Sequence, residues 1–159
     1  MQIKLLLLLS FSGLGLLVGN VLYKKEQEQE LYFIEVKSLI NSLICDIKFS
    51  QKNICEIVLD FDTKSRLLVL HKKQFIQGTD NNELCLEKDW LTQNQYQAIK
   101  NLFENLGKYD VHTQIFQLES SREKIELLAQ SVYERNKKHG KMMIKLGFML
   151  GLAIGILIL

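Results

Sequence analysis

"KLGFMLGLAIG", residues 145–155, decides how this chain folds. Gly147, Gly151 and Gly155 recur every four residues in a run that stays apolar to Leu159. In water, each glycine would cost a helix about 1 kcal/mol relative to alanine. In lipid the balance changes. Helices there associate by close packing, and small residues at four-residue spacing let two backbones approach. The stretch therefore reads as a membrane helix with one packing face. The other end of the chain carries a counterpart: between residues 5 and 21 only serines, Asn20 and glycines interrupt an apolar run, and Gly15 and Gly19 repeat the spacing. Candidate helix-packing residues are thus Gly15, Gly19, Gly147, Gly151 and Gly155. The two faces can meet each other or a partner subunit. The plainer alternative is that glycine is simply frequent in membrane helices.

Working inward, the 159 residues are oily at both ends and polar between. A spanning helix needs about 20 apolar residues. Residues 1–23 and 142–159 meet that length, with Lys145 snorkelling to the interface. Residues 24–141 form the polar middle. A cleaved signal peptide competes for the first run, but no A-x-A-like site follows it. Lys24 and Lys25 directly after the run suit a retained anchor.

Charge sets the expected topology. Every Asp and Glu lies between Glu26 and Glu134. The inner flanks hold Lys24, Lys25, Arg135, Lys137, Lys138, Lys141 and Lys145, whereas the outer flanks hold only Lys4. The positive-inside rule places the middle in the cytoplasm and both termini outside. Within the middle, acids and bases balance, so no basic stripe for nucleic acid is expected.

The chain has no proline and is rich in helix formers, which predicts an all-α fold. One long helix is expected from the first membrane run to about Phe49, with Phe33, Val36, Ile40, Leu43 and Ile47 as its apolar stripe. Ser50 can cap a second helix whose face is Ile54, Ile57, Val58 and Phe61. "TKSRLLVLHKKQFIQG" predicts a shorter helix ending near Gly78, and "TDNNELC" a loop. In "WLTQNQY", Thr92 and Gln95 have capping-box spacing, with Leu91 and Tyr96 at the staple positions. That helix buries Tyr96, Ile99, Leu102, Phe103 and Leu106 and stops at Gly107. Asp110 caps the last helix, whose stripe is Ile115, Leu118, Ile125, Leu128 and Val132 and which runs on into the membrane. The expectation is a membrane hairpin: two transmembrane helices holding a cytoplasmic helical bundle.

Chemistry is sparse. His71, His112 and His139 fall in different elements without metal-ligand spacing and read as solvated. Asp60 and Asp62 read as solvated charges at a helix end. Cys45, Cys55 and Cys85 have no C-x-x-C spacing and read as reduced, buried, small hydrophobes. No G-x-S-x-G elbow and no G-x-x-x-x-G-K-[ST] loop occurs. Neither an enzyme, a cofactor, a metal site nor a small-molecule substrate is expected. If energy is needed, a partner supplies it.

"YQAIKNLFENLGKYDVHTQ" and "GKMMIKLGFMLGL", with Lys141, Met142, Leu146, Gly147 and Gly151 in place, resemble the stage III sporulation protein AB family of endospore-forming bacteria. The likeness runs ungapped from about residue 95 to 159. It returns more weakly at "LICDIKFSQKNICEI" and in the amino-terminal anchor. "FSQKN" stands where the family usually has a proline turn, and "KKEQEQE" where it has an arginine-rich stretch. The resemblance implies a non-enzymatic membrane component of the mother cell, similar to platform subunits of type II secretion and type IV pilus machines. It would belong to the channel complex linking mother cell and forespore. Its partners would be companion stage III sporulation proteins, including the cytoplasmic ATPase stage III sporulation protein AA. Two rival classes remain at this point. One is an exported, tail-anchored helical binding protein with a cleaved signal peptide; the other is a small membrane enzyme, disfavoured because no polar constellation converges.

Overall fold

The computed structural model describes residues 2–49, 52–77 and 90–158, except the side chains of 2–9, 140, 141 and 158. Five helices follow one another: α1 (Gln2–Phe49), α2 (Ile54–Asp60), α3 (Arg66–Gln77), α4 (Gln93–Glu104) and α5 (Val111–Ile158). There is no strand among the described residues. The chain divides into two compact units. Met1–Glu30 and Ser131–Leu159 form one, and Leu31–Gln130 forms the other. The expected limits at 23/24 and 141/142 concern where lipid would end, which is a different property from packing.

The unit formed by Leu31–Gln130 is a helical bundle with a continuous core. Its α1 segment buries Tyr32, Phe33, Val36, Leu39, Ile40, Leu43 and Ile44. That face is wider than the single stripe expected, because Tyr32, Leu39 and Ile44 flank the predicted row. A helix packed on one side only needs a narrow stripe, whereas one in the middle of a bundle buries more of its circumference. Ile57 and Val58 of α2, Leu67, Leu68 and His71 of α3, Ile99, Leu102 and Phe103 of α4, and Leu118 and Ile125 of α5 complete the core, with Leu91 and Leu106 at the ends of α4.

Local signals set the helix ends. Asn53, not Ser50, caps α2: its side-chain oxygen accepts from the Cys55 N–H at 3.1 Å, and its carbonyl accepts from Glu56 and Ile57. Ser50 lies outside the described residues. Phe61 is likewise not on the α2 face but is its extended C-cap, with φ −65° and ψ 117°. Lys72 donates to the carbonyls of Leu59 and Phe61, so a cation occupies the negative end of this short helix. Burial pulls the Lys72 ammonium below its ordinary pKa, against the attraction of Asp62 and Asp60.

At α4 the Gln95 side chain accepts from the Thr92 N–H at 2.9 Å, as the capping spacing predicts. Gly107 takes φ +76° after the helix, and its N–H donates to Gln114 Oε1 at 2.9 Å. Asp110 then opens α5: its carboxylate accepts from the Thr113 N–H at 3.2 Å and its carbonyl from Gln114 N at 2.8 Å. The hydrogen bonds from Thr113 hold the Asp110 carboxyl below its usual range. The loop expected at 79–85, with Cys85, lies outside the described residues.

Candidate functional site

The unit formed by Met1–Glu30 and Ser131–Leu159 brings four of the five glycines picked from the sequence into one seam. A methyl built on Gly15 would overlap the carbonyl oxygen of Gly147 and sit 3.1 Å from Gly151 Cα. One on Gly19 would lie 2.9 Å from the Met143 carbonyl oxygen. One on Gly151 would lie 2.5 Å from the Phe11 oxygen and 3.0 Å from Ser12 Cα, and one on Gly147 would overlap the Gly15 carbonyl oxygen. Gly155 is buried on the same stripe of α5. Gly13, off the spacing, faces open space, with nothing within 4 Å. The spacing of four thus separates glycines at the contact from one that is not.

A polar layer continues the seam. Arg135 donates to Gln29 Oε1 and lies 4.0 Å from Glu26. Asn136 Nδ2 donates to Glu30 Oε2 at 2.5 Å. Gln29 and Asn136 are buried. Glu26 Oε2 and Asn136 Oδ1 are buried acceptors without a hydrogen-bond partner among the described residues. From sequence alone Arg135 reads only as part of the basic inner flank and Glu26 as the first acid after it, while Gln29, Glu30 and Asn136 carry no reading. The available signal was phase: Val132 and Asn136 are four apart and lead into the four-residue steps of the glycines.

Outside the seam, α5 exposes a long apolar surface. Among the described residues it is the one helix long and apolar enough to cross a membrane, and little of that apolar stretch is buried. Leu146, Met149, Leu150, Ile154 and Leu157 are all exposed, as are Leu14, Leu17, Val18 and Val21 of α1. Residues 2–9, the start of the first expected span, are outside the described side chains.

The bundle holds a buried polar pair. Tyr32 Oη and His71 Nδ1 are 2.8 Å apart, and the imidazole stands edge-on to Phe103. Sequence reasoning took His71 as solvated; it is fully buried, because α3 turns it inward with Leu67 and Leu68. His112 and His139 are exposed. Burial lowers the His71 pKa to about 4 and raises that of the Tyr32 hydroxyl. Whichever of the two donates, His71 Nε2 is buried and meets no hydrogen-bond partner among the described residues. Nearby, Glu35 accepts from Thr63 Oγ1 and from the N–H groups of Lys64 and Ser65. Its burial would raise its pKa, but these hydrogen bonds outweigh that and lower it. This carboxylate ties the α2–α3 connection to α1.

No group of three His, Cys, Asp or Glu side chains converges among the described residues. Asp60 and Asp62 are exposed. Cys45 and Cys55 are free thiols on the surface, correcting their expected burial: both lie off the apolar stripes of their helices.

A family model described as stage III sporulation protein AB matches residues 79–159, which cover α4, the Gly107 turn and α5. No curated protein and no solved structure matches the chain.

Proposed function

The chain belongs to the stage III sporulation protein AB family, and on that premise we propose that it is a non-enzymatic membrane scaffold of the sporulation channel complex linking mother cell and forespore. It crosses the mother-cell membrane twice, as a hairpin, and holds a helical bundle in the cytoplasm. That bundle docks companion stage III sporulation proteins, among them the ATPase stage III sporulation protein AA.

The family match over α4 and α5 carries this reading. Three further observations support it. The α5 surface is apolar and outward-facing where a lipid contact would need it. The glycine seam is a contact geometry suited to membrane helices. The sequence has no phosphate-binding loop, so nucleotide chemistry falls to a partner.

The full chain, extracted from membranes in mild detergent, should co-purify with the companion ATPase, and ATP hydrolysis should follow the ATPase alone. Hydrolysis by the isolated chain, or failure to retain the ATPase under conditions that keep the chain folded, would overturn the scaffold reading.

A further inference from the structure

The α1 and α5 segments of the seam run in opposite directions in a readable register. Gly19 lies against Met143 and Ile144, and Gln29 and Glu30 lie against Arg135 and Asn136. Lys24 and Lys25 therefore come level with residues 137–141, which add Lys137, Lys138 and His139. This level sits between the polar layer and the apolar, glycine-packed part of the unit.

The two signs of charge are sorted across that level. Glu26 and Glu30 turn into the seam, toward Arg135 and Asn136. Lys24, Lys137 and Lys138 point outward, are exposed, and enter no ion pair among the described residues. The exposed acids of this unit, Glu28 and Glu134, stand one helical turn from Lys24 and from Lys137 and Lys138, at the level of the polar layer and on the side away from the apolar surface. Lys24, Lys137 and Lys138 thus line the rim where exposed apolar surface begins, with the nearest exposed acids one turn further from that surface.

We propose that this rim binds the headgroups of anionic phospholipids, with Lys24, Lys137 and Lys138 as phosphate contacts. The inference rests on the membrane reading above and adds a lipid preference to it. A basic residue held at an anionic membrane surface favours binding about five-fold. A topology signal needs only an excess of lysines on one flank. Acids turned into the seam in the adjoining polar layer are an additional feature, and they leave the outward side chains of the rim basic. Phospholipid is favoured over free phosphate because an apolar surface for acyl chains adjoins the rim.

The test uses the full chain in phosphatidylcholine vesicles carrying a trace of spin-labelled phosphatidylglycerol or spin-labelled phosphatidylcholine. Electron spin resonance reads the motionally restricted lipid at the protein surface. The restricted fraction should favour phosphatidylglycerol several-fold. The preference should vanish at about 1 M salt, where the Debye length is about 3 Å. It should also vanish in the triple variant Lys24→Gln/Lys137→Gln/Lys138→Gln. It should persist in the control Lys64→Gln/Lys73→Gln/Lys124→Gln, which removes the same charge from the bundle, and in inorganic phosphate matched in ionic strength to chloride. Restricted lipid without a phosphatidylglycerol preference would overturn the proposal alone, and so would an equal loss in the control variant. Competition by inorganic phosphate would reassign the rim to a soluble anion and overturn it as well. Absence of any restricted lipid would remove the membrane reading and the proposal with it.

Discussion

Gly15 and Gly147 meet backbone to backbone: a methyl placed on either would run into the carbonyl oxygen of the other. Such an approach is closed to every residue with a side chain. It predicts a reversal of the usual substitution rule. Glycine to alanine normally stabilises a helix by about 1 kcal/mol. At Gly13, where nothing lies within 4 Å, Gly13→Ala should be neutral or stabilising. Gly15→Ala and Gly147→Ala should each lower stability by about 1–2 kcal/mol, measured by denaturation of the full chain in detergent. Gly151→Ile should insert normally yet lower assembly and, in a spore-forming host, spore yield. Equal behaviour of all four variants would remove the seam as a packing surface.

The Tyr32–His71 pair predicts an acid-sensitive bundle. The folded pKa of His71 is depressed to about 4, against 6.5 for the exposed side chain. Between these values the unfolded chain binds a proton that the folded chain refuses. The stabilisation is therefore complete above about pH 6.5 and is lost progressively as the pH falls toward 4, by about 3 kcal/mol at most. Unfolding followed through the half-buried Trp90 at pH 7.5 and pH 5 should show this slope, and His71→Phe should flatten it. Tyr32→Phe removes the partner of Nδ1 and should cost about 1–3 kcal/mol at neutral pH. A pH slope unchanged in His71→Phe would assign the acid sensitivity elsewhere.

Those two sites differ in how far sequence reveals them. The glycines stand at a fixed interval in an apolar run, and both the interval and its reason, close approach in lipid, are properties of sequence. The ends of α4 and the start of α5 were legible for the same reason: Thr92, Gln95, Gly107 and Asp110 act within a turn of their own positions. Tyr32 and His71 are 39 residues apart. Nothing local marks a histidine whose partner arrives from another helix, and its neighbours Lys72 and Lys73 argue for solvent. From sequence Ser50 reads as the cap of α2 where Asn53 serves, because both residue types cap well and only the path of the chain decides which begins the turn. The seam's polar layer is hidden in the same way, since Glu26 and Arg135 look like flank charges, and Asn136 like a neutral neighbour of them, until two distant segments align.

Gly107 predicts a purely conformational cost. Its φ of +76° lies in the left-handed region, while a methyl built on it would come no closer than 3.9 Å to Ile54 Cδ1. Space is available, so Gly107→Ala should lose only the left-handed penalty, about 1–2 kcal/mol. Gly107→Asn should lose less, because asparagine tolerates this conformation. Gly107→Val should lose the most, being β-branched. The order of the three unfolding midpoints checks the assignment. Equal midpoints for alanine and asparagine would mean that the turn relaxes away from its left-handed form.

The proposed topology can be read from the protein's own thiols. Cys45 and Cys55 are free and exposed on the bundle, so their reactivity depends on which side of the membrane the bundle occupies and not on unfolding. With the bundle in the cytoplasm, a membrane-impermeant maleimide added to intact cells should leave both unmodified. The same reagent should modify both after permeabilisation, without denaturant, because neither thiol needs to be uncovered. A Cys45→Ser/Cys55→Ser variant accounts for any signal from Cys85. The exported alternative predicts labelling of intact cells and a mature chain shortened by about 20 residues, the length of one spanning segment. Mass spectrometry of the same sample reads that length directly. Labelling of Cys45 and Cys55 in intact cells would overturn the cytoplasmic placement even if the first helix were retained. Protection before permeabilisation, modification after it, and a full-length mass would together support the hairpin over the exported form.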